Sequence, residues 1–307
     1  MPELSVIVPF CNEHPQVLFT IQSIAQELIG RVDFEILAVD NYCDQVKAQG
    51  RDPDGGGTSV EACSKGNPWL KYLKYTDKLS HWQAKNHAVH NSSGSILWFC
   101  DAHCVVSRDS LYNMLQYYRA NHDELNGTIH LPLTYKILEW RRLIYKLVNN
   151  LNRGEIAYSF TGFPGAAREP FSVACMSTCG MMMTRELYDE LGGWPVELGI
   201  YGGGEHFINF ALAVMGKTKT IYPSGPLFHH GDKRGYEWNY NDYTRNRTIA
   251  SYMFGGKTLA EKFIDHRKGN PDVLQSILSD VLSKCREHRE RIKKHQVIRI
   301  EEWAEKA

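Results

Sequence analysis

The chain contains 307 residues, of which 43% are hydrophobic and 23% are charged, an ordinary globular composition with ample length for a buried core. Its 35 basic and 35 acidic residues cancel at neutral pH, which excludes a polycation that binds nucleic acid or an anionic membrane through its overall charge. Its longest apolar runs fall far short of the roughly 20 residues that a bilayer span needs, so we expect a cytoplasmic protein with no membrane span.

The first half of the chain alternates between strand and helix patterns. Continuous β-rich runs, typical of strands buried on both faces of a parallel sheet, occur at 4–9, 34–39, 69–75, 95–100 and 127–133. Helical patterns occur at 15–28, 80–90 and 108–119, and a segment rich in Gly and Asp predicts a loop at 50–58. This order predicts an α/β fold with right-handed crossovers.

The second half is less regular. Residues 152–172 are rich in Gly, Pro and Ala and predict a long active-site loop, whereas the apolar run at 173–184 predicts a strand. A helical pattern covers 205–215, and Asn270-Pro271 marks the start of another helix. Residues 231–241 contain two glycines and three large aromatic side chains, which predicts a mobile loop able to close as a lid over a ligand.

The eight cysteines lie mostly in apolar runs, where reduced Cys behaves as a small core residue. Two pairs, Cys100/Cys104 and Cys175/Cys179, are separated by four residues. Because they lack the two-residue spacer that is typical of zinc sites, the spacing favours core residues over metal ligands.

Three polar clusters follow predicted strands: Asn12-Glu13, Asp40-Asn41 and Asp101-Ala102-His103. In open α/β sheets, ligands bind beyond the carboxyl ends of the strands. A single Asp after a strand is commonly a helix cap, but three such clusters in one half of the chain favour a shared nucleotide site.

The spacing of Asp101 and His103 allows both side chains to reach one divalent ion. Mixed oxygen and nitrogen ligation suits Mn²⁺ better than Ca²⁺, and an ion there would neutralise a departing diphosphate. The alternative is a capping Asp beside a stacked His. His229-His230 is a further candidate, although adjacent residues on a strand point to opposite faces, so only one of the two would bind.

A run of three glycines, 202–204, precedes Glu205 at the predicted start of a helix. Glycines let the backbone approach a ligand closely, and Glu205 would hold sugar hydroxyls or act as a base. The alternative is an acidic residue in the first helical turn, which the helix dipole favours.

Together these motifs resemble family 2-like GT-A glycosyltransferases over residues 4 to about 255. The resemblance rests on the opening SVIVPFCNE, AVDN at 38–41 and HWQAKNHAVHNSSGSILWFCDAH at 81–103. The Asp-x-His motif, the glycines before Glu205, and Pro223 followed by His229 are similar to polypeptide N-acetylgalactosaminyltransferases. This chain has His206 where that family has Asn. We therefore expect it to share the family's donor chemistry more closely than the family's acceptor.

The resemblance implies a GT-A fold, with a mostly parallel sheet flanked by helices, at 1–255 and a helical C-terminal extension at 256–307. It implies a UDP-sugar donor, a metal cofactor (Mn²⁺ or Mg²⁺) and a retaining mechanism. Asp101, His103 and His229 would bind the metal, and Asp101 and Glu205 would be catalytic. Asp40 would contact uracil, and the other donor-binding residues would be Pro9, Asn12, Glu13, Lys85, Ala102, Gly203 and Gly204.

Two acceptors remain open: a hydroxyl on a glycan, protein or small molecule, and a hydroxymethylated DNA base. The second is suggested by the basic run from Lys284 to Arg299, whose alternative is a solvated helix face. A non-catalytic sugar-nucleotide-binding protein would be expected to have lost its metal ligands. A nucleotidyltransferase usually has a Gly-rich basic loop after its first strand, where this chain has Phe10-Cys11-Asn12-Glu13.

Overall fold

A computed structural model of the chain describes residues 2–135, 141–231 and 234–307. The elements of its first half are β1 (Leu4–Phe10), α1 (Gln16–Leu28), β2 (Phe34–Asp40), α2 (Asp44–Ala48), α3 (Gly56–Gly66), β3 (Leu70–Lys74), α4 (His81–His90), β4 (Ile96–Phe99), β5 (Cys104–Val106), α5 (Ser110–Leu125) and β6 (Gly127–His130).

Those of the second half are β7 (Leu133–Thr134), β8 (Leu143–Asn150), β9 (Glu155–Gly162), β10 (Phe171–Ser172), β11 (Met181–Thr184), α6 (Arg185–Leu191), α7 (Gly204–Val214), β12 (Thr218–Ile221), β13 (Leu227–His229), α8 (Tyr240–Asp265), α9 (Pro271–Lys284), α10 (Arg286–His295) and α11 (Ile300–Lys306).

The central sheet has eight strands in the order β10-β12-β6-β11-β4-β1-β2-β3. Strands β1 to β4 are parallel, as are β6 and β12, whereas β10 and β11 run antiparallel to their neighbours. All seven residues of β1 are buried, which accounts for its continuous apolar run. The predicted mostly parallel sheet flanked by helices is confirmed.

A second sheet of five strands has the order β5-β13-β7-β8-β9 and contains the antiparallel hairpin of β8 and β9. Here the prediction of a long loop at 152–172 is wrong, because β9 and β10 lie within it. The predicted strand at 173–184 is also wrong for most of its length, since only Met181–Thr184 forms β11. The side chain of Asn209 bonds both backbone groups of Met176, so that segment is satisfied without a strand partner.

The C-terminal helix α9 buries its predicted apolar stripe and packs against α8 and α10. Asn270 caps this helix, its side chain accepting from the backbone N–H of Asp272. Residues on both sides of the proposed boundary at 255/256 share one hydrophobic cluster, and α8 crosses the boundary with a break in its helical geometry at Gly256. Among the described residues, no helix combines the length and apolarity required to cross a membrane.

Candidate active site

A cavity of about 470 Å³ lies at the carboxyl ends of β1 and β4, walled by residues of both sheets. Parallel strands that end at one edge bring their following residues together, as the sequence predicted. The predicted site residues that line the cavity are Pro9, Glu13, Lys85, Asp101, Ala102, His103, Gly203, Glu205 and His229. Asn12, Asp40 and Gly204 do not line it.

Asp101, His103 and His229 form a chain of contacts along one side of the cavity. Asp101 Oδ2 lies 3.3 Å from His229 Nε2, which lies 3.2 Å from His103 Nε2. His229 is the last residue of β13, which pairs antiparallel with β5 so that His229 faces Cys104, the residue after His103. Strand pairing thus brings together two histidines that are 126 residues apart in the chain.

Glu13 fixes the orientation of His103. Its Oε1 atom lies 2.5 Å from His103 Nδ1, so this nitrogen donates a hydrogen bond to the carboxylate and Nε2 is the atom that faces His229. Burial lowers the pKa of His103, but the hydrogen bond and charge of Glu13 outweigh it and raise this pKa to about 9. Glu13 and His103 form the carboxylate–histidine pair that commonly orients metal ligands, and the donor-binding role of Glu13 stays a prediction.

Lys85 lies behind Asp101, with its Nζ atom 3.4 Å from Asp101 Oδ1 and its side chain 1% exposed. Burial alone raises the pKa of Asp101, but Lys85 and His229 hold it well below its usual range. For His229, burial lowers the pKa, and the hydrogen bond to Asp101 reverses that effect. Asp101 is therefore ionised, as a metal ligand must be.

The carboxylate and imidazole atoms of Asp101, His103 and His229 are of the kinds that bind a divalent ion. Two ligands that each lie about 2.1 Å from one ion, at angles between octahedral and tetrahedral, are roughly 3.0–3.4 Å apart. The contacts of His229 with Asp101 and with His103, at 3.3 and 3.2 Å, fall in that interval. The three side chains do not all lie within 4.8 Å of one another, so Asp101 and His103 must move closer together to share one ion. One carboxylate and two imidazoles with an oriented tautomer form a ligand set typical of transition-metal ions.

Glu205 lies across the cavity in the first turn of α7. Its Oε1 accepts hydrogen bonds from Ser177 Oγ at 2.9 Å and the Thr178 N–H at 3.2 Å, and its Oε2 accepts one from the Tyr158 hydroxyl. Burial raises the pKa of Glu205, and these donors only partly oppose the rise. A carboxylate has about four lone-pair sites, so roughly one remains for a ligand.

The glycines before Glu205 allow α4 and α8 to pack closely against the start of α7. At Gly203, φ is +76° and a Cβ would lie 2.3 Å from the backbone oxygen of Asn246. At Gly204, a Cβ would lie 2.3 Å from the Trp82 ring. Only glycine fits either position, and the result is that Glu205 lies close to α4 and α8.

Asp40 and Asn12 have other partners at the edge of the site. The Asp40 carboxylate accepts from the Tyr42 N–H at 3.0 Å and the Tyr72 hydroxyl at 2.9 Å. Asn12 holds the loop before α3, through the Asp52 carbonyl at 3.0 Å and the Asp54 N–H at 3.2 Å. The uracil contact of Asp40 and the base or ribose contact of Asn12 therefore stay predictions.

The sequence did not indicate the aromatic wall that faces the metal ligands. Tyr145 and Tyr158 stack with their ring centroids 4.5 Å apart, and Tyr135 and Phe160 meet edge to face at 5.2 Å. Most of this wall is the β8–β9 hairpin, where Tyr145 is opposite Phe160. The alternation of large side chains in Glu155–Gly162 was the signal that could have identified it.

Two cations in the cavity were also missed. Arg234 lies over the Tyr201 ring, 4.3 Å from its centroid, within the segment predicted as a lid. Arg247 of α8 bonds the Tyr243 hydroxyl and the Glu155 carboxylate. Of the predicted lid aromatics, Tyr236 lines the cavity and Trp238 packs on Tyr201; Asp232 and Lys233 lie outside the described residues.

Comparisons with known proteins identify the family of the chain. The model of glycosyl transferase family 2 matches residues 5–192, more than half of the chain. Human polypeptide N-acetylgalactosaminyltransferase 14 is 21% identical over 294 residues, and Drosophila melanogaster N-acetylgalactosaminyltransferase 6 is 22% identical over 263. These alignments cover 87% and 80% of this chain but 47% and 38% of the relatives, so the chain spans less than half the length of either.

The solved structures show the same fold. GalNAc-T7 with UDP, GalNAc and Mn²⁺ superposes with a TM-score of 0.63 at 16% identity, covering 96% of this chain and 57% of that one. The Pyrobaculum calidifontis mannosyltransferase PcManGT with GDP-Man and Mn²⁺ gives a TM-score of 0.53 at 19% identity, covering 96% and 74%. The chain therefore belongs to glycosyl transferase family 2 and has the GT-A fold.

Proposed function

We propose that the protein transfers a sugar from a UDP-sugar donor to a hydroxyl acceptor, with Mn²⁺ or Mg²⁺ bound by Asp101, His103 and His229. The observation that carries the proposal is the contact chain of these three side chains, with Glu13 and Lys85 as their partners, at the carboxyl ends of the strands. A bound ion would neutralise the diphosphate as it leaves the sugar.

The protein's own groups complete the donor site. Lys85 adds positive charge beside Asp101, and Arg234 adds it over the Tyr201 ring in the same cavity, so both suit a diphosphate. We assign the uracil end to the edge near Asp40, with Pro9 beside it. A Mn²⁺ complex with UDP and GalNAc is named for the similar GalNAc-T7, which supports the choice of donor class.

Glu205 is proposed to hold the donor sugar. Three hydrogen-bond donors of the protein already fix its carboxylate. A carboxylate held in this way is better suited to position a sugar hydroxyl than to act as a base, which must accept a proton freely. This supports retention of the anomeric configuration. Nuclear magnetic resonance of the first-formed product distinguishes the two outcomes, since an inverted anomer would make Glu205 the base.

The acceptor is proposed to approach along the aromatic hairpin. Phe160 is 50% exposed and Tyr135 38% exposed at the rim of the cavity, so both offer ring faces to a saccharide or another hydroxyl-bearing acceptor. The hydroxymethylated DNA alternative stays open. Arg289 of the C-terminal basic run donates to the Tyr252 carbonyl at 2.9 Å and faces inward. Other basic side chains of that run are exposed: Arg286, Arg291, Lys293 and Lys294.

The test is UDP release from a panel of UDP-sugars, with Mn²⁺ or with a chelator, and with glycan, peptide and hydroxymethylated DNA acceptors. We expect metal-dependent release from at least one UDP-sugar and transfer to a hydroxyl. Donor binding without release under any condition would favour the alternative of a non-catalytic sugar-nucleotide-binding protein.

A further inference from the structure

Three buried cysteines lie directly beneath the proposed metal ligands. The sulfur atoms of Cys100, Cys104 and Cys179 all lie within 4.8 Å of one another. They come from both of the cysteine pairs in the sequence, because β11 pairs antiparallel with β4 and brings the segment before β11 against the end of β4. The remaining member of those pairs, Cys175, is not part of this group.

Cys179 differs from the other two because it also reaches the metal ligands. Its sulfur, a carboxylate oxygen of Asp101 and a nitrogen of His229 all lie within 4.8 Å of one another. This set satisfies the same 4.8 Å limit as the three-sulfur group. Two ligand sets therefore share Asp101 and His229: one is completed by His103 and the other by Cys179.

The surroundings of Cys179 suit a thiolate. The backbone N–H of Asp101 points at its sulfur at 3.5 Å, and the Cys104 sulfur lies 3.4 Å away, where its S–H can donate. Hydrogen bonds to a charged acceptor are the stronger kind. When a metal binds, the Cys179 S–H bond breaks, its proton leaves to solvent, and the sulfur lone pair forms the bond to the ion.

We infer that Cys179 is a ligand for thiophilic ions, so that Mn²⁺ is bound through His103 while Zn²⁺, Cd²⁺ or Co²⁺ is bound through Cys179, with Asp101 and His229 common to both. Softness of the ligand sorts metals in this way, because thiolates favour Zn²⁺ and its analogues whereas Mn²⁺ favours oxygen and nitrogen. The inference rests on the proposed metal site. On this inference, Mn²⁺ and thiophilic ions compete for binding because they share Asp101 and His229.

Cobalt absorption tests the inference. The full chain carries Cys63→Ser throughout, since Cys63 is exposed and would bind cobalt on its own. We expect Co²⁺ to give visible d–d bands together with a near-ultraviolet thiolate charge-transfer band. Cys179→Ser and Cys179→Ala should lose the charge-transfer band and keep the d–d bands, whereas Cys104→Ser and Cys100→Ser should keep both.

A second measurement uses metal competition. Cys179→Ser should weaken Cd²⁺ binding at least about tenfold, a loss that even outer partners of a metal site typically cause, with little change for Mn²⁺. His103→Ala should weaken Mn²⁺ binding and leave Cd²⁺ binding nearly unchanged. Thermal unfolding of each variant verifies that it is folded.

The outcomes are distinct. Cobalt d–d bands with no charge-transfer band would overturn the role of Cys179 and leave the proposed function intact. A charge-transfer band that is lost equally in Cys100→Ser, Cys104→Ser and Cys179→Ser would assign the ion to the three-sulfur group and also overturn it. If neither cobalt band appears and Mn²⁺ does not bind, the metal site itself fails, and the proposed function fails with it.

Discussion

The two walls of the cavity differ in how they are built. The wall at the ends of β1 and β4 is polar, and its side chains are held by charged partners such as Glu13 and Lys85. The facing wall, from the β8–β9 hairpin, is aromatic, and its rings hold one another by stacking. Polar groups held in place by charged partners suit a charged diphosphate, whereas ring faces suit a sugar. We therefore assign donor activation to the polar wall and sugar recognition to the aromatic wall.

The largest effect on turnover is expected from a substitution of Glu205, which lies where the two walls meet. Glu205→Gln should lower turnover about 10²–10³-fold, because it removes charge that holds the reacting sugar, while UDP affinity stays unchanged. Tyr158→Phe, which removes one hydrogen bond to this carboxylate but keeps the ring, should cause a smaller loss. Steady-state kinetics with UDP calorimetry measures both, and a loss of UDP binding in Glu205→Gln would contradict the division between the walls.

A smaller effect, on the acceptor KM, is expected from a substitution in the aromatic wall alone. Phe160→Ala should raise the acceptor KM about tenfold, the loss of roughly one aromatic contact, with the donor KM unchanged. Phe19 provides the matched control, since it is an exposed phenylalanine on α1 outside the cavity, and Phe19→Ala should have no effect. If Phe160→Ala and Phe19→Ala behave alike, the hairpin is not an acceptor surface.

The predicted lid should give a spectroscopic signal. Trp238 is 41% exposed and packs on Tyr201, so closure of 231–241 over a donor would change its surroundings. We expect the fluorescence of the wild type to change on addition of UDP-sugar and Mn²⁺, and the change to be mostly absent in Trp238→Phe. An unchanged response in that variant, with donor binding measured separately, would argue against a lid.

The smallest effect concerns His130, a buried histidine of β6 that contacts Ser177. Burial lowers the pKa of His130 to about 3, and its Nδ1 atom lies 3.1 Å from the Ser177 carbonyl, beside the Glu205 site. The unfolded chain takes up this proton near pH 6.5, so the stability that His130 contributes is full above pH 6.5 and is lost as the pH falls towards 3.

His130→Gln removes that titration. Between pH 7 and 5.5 the free energy of unfolding of the variant should therefore fall by about 1 kcal/mol less than that of the wild type. Urea unfolding at both pH values measures the difference. An equal fall in both proteins would mean that His130 already carries its proton in the folded state.

The two walls also differ in how far the sequence predicted them. On the polar wall, buried parallel strands make long apolar runs, and residues such as Asp101 and Glu13 directly follow them, so position in the sequence fixes position in space. The aromatic wall depends on pairing between distant segments, such as β8 with β9, and on side-chain contacts such as Asn209 with Met176. The alternation within Glu155–Gly162 was the local signal for β9, but the Gly, Pro and Ala content of 152–172 favoured a loop, and the pairing with β8 cannot be read from either.

Even on the polar wall, residue type alone did not fix each role. The contact of Glu13 with His103 and that of Asp40 with Tyr72 were not predicted, and the donor contacts of both residues stay predictions. The convergence of Cys179 on Asp101 depends on the antiparallel pairing of β4 and β11, which the local spacing of the cysteines does not reveal. The cytoplasmic location and the boundary at 255/256 stay predictions.

The central claim is that Asp101, His103 and His229 bind a divalent ion that recruits UDP, and calorimetry of UDP with and without Mn²⁺ tests it most directly. For the wild type we expect tight UDP binding only with Mn²⁺, and weaker binding of GDP and ADP. Asp101→Ala should lose the Mn²⁺-dependent binding, whereas Asp123→Ala, at a 96% exposed carboxylate, should retain it. Full Mn²⁺-dependent binding of UDP by Asp101→Ala would contradict the account.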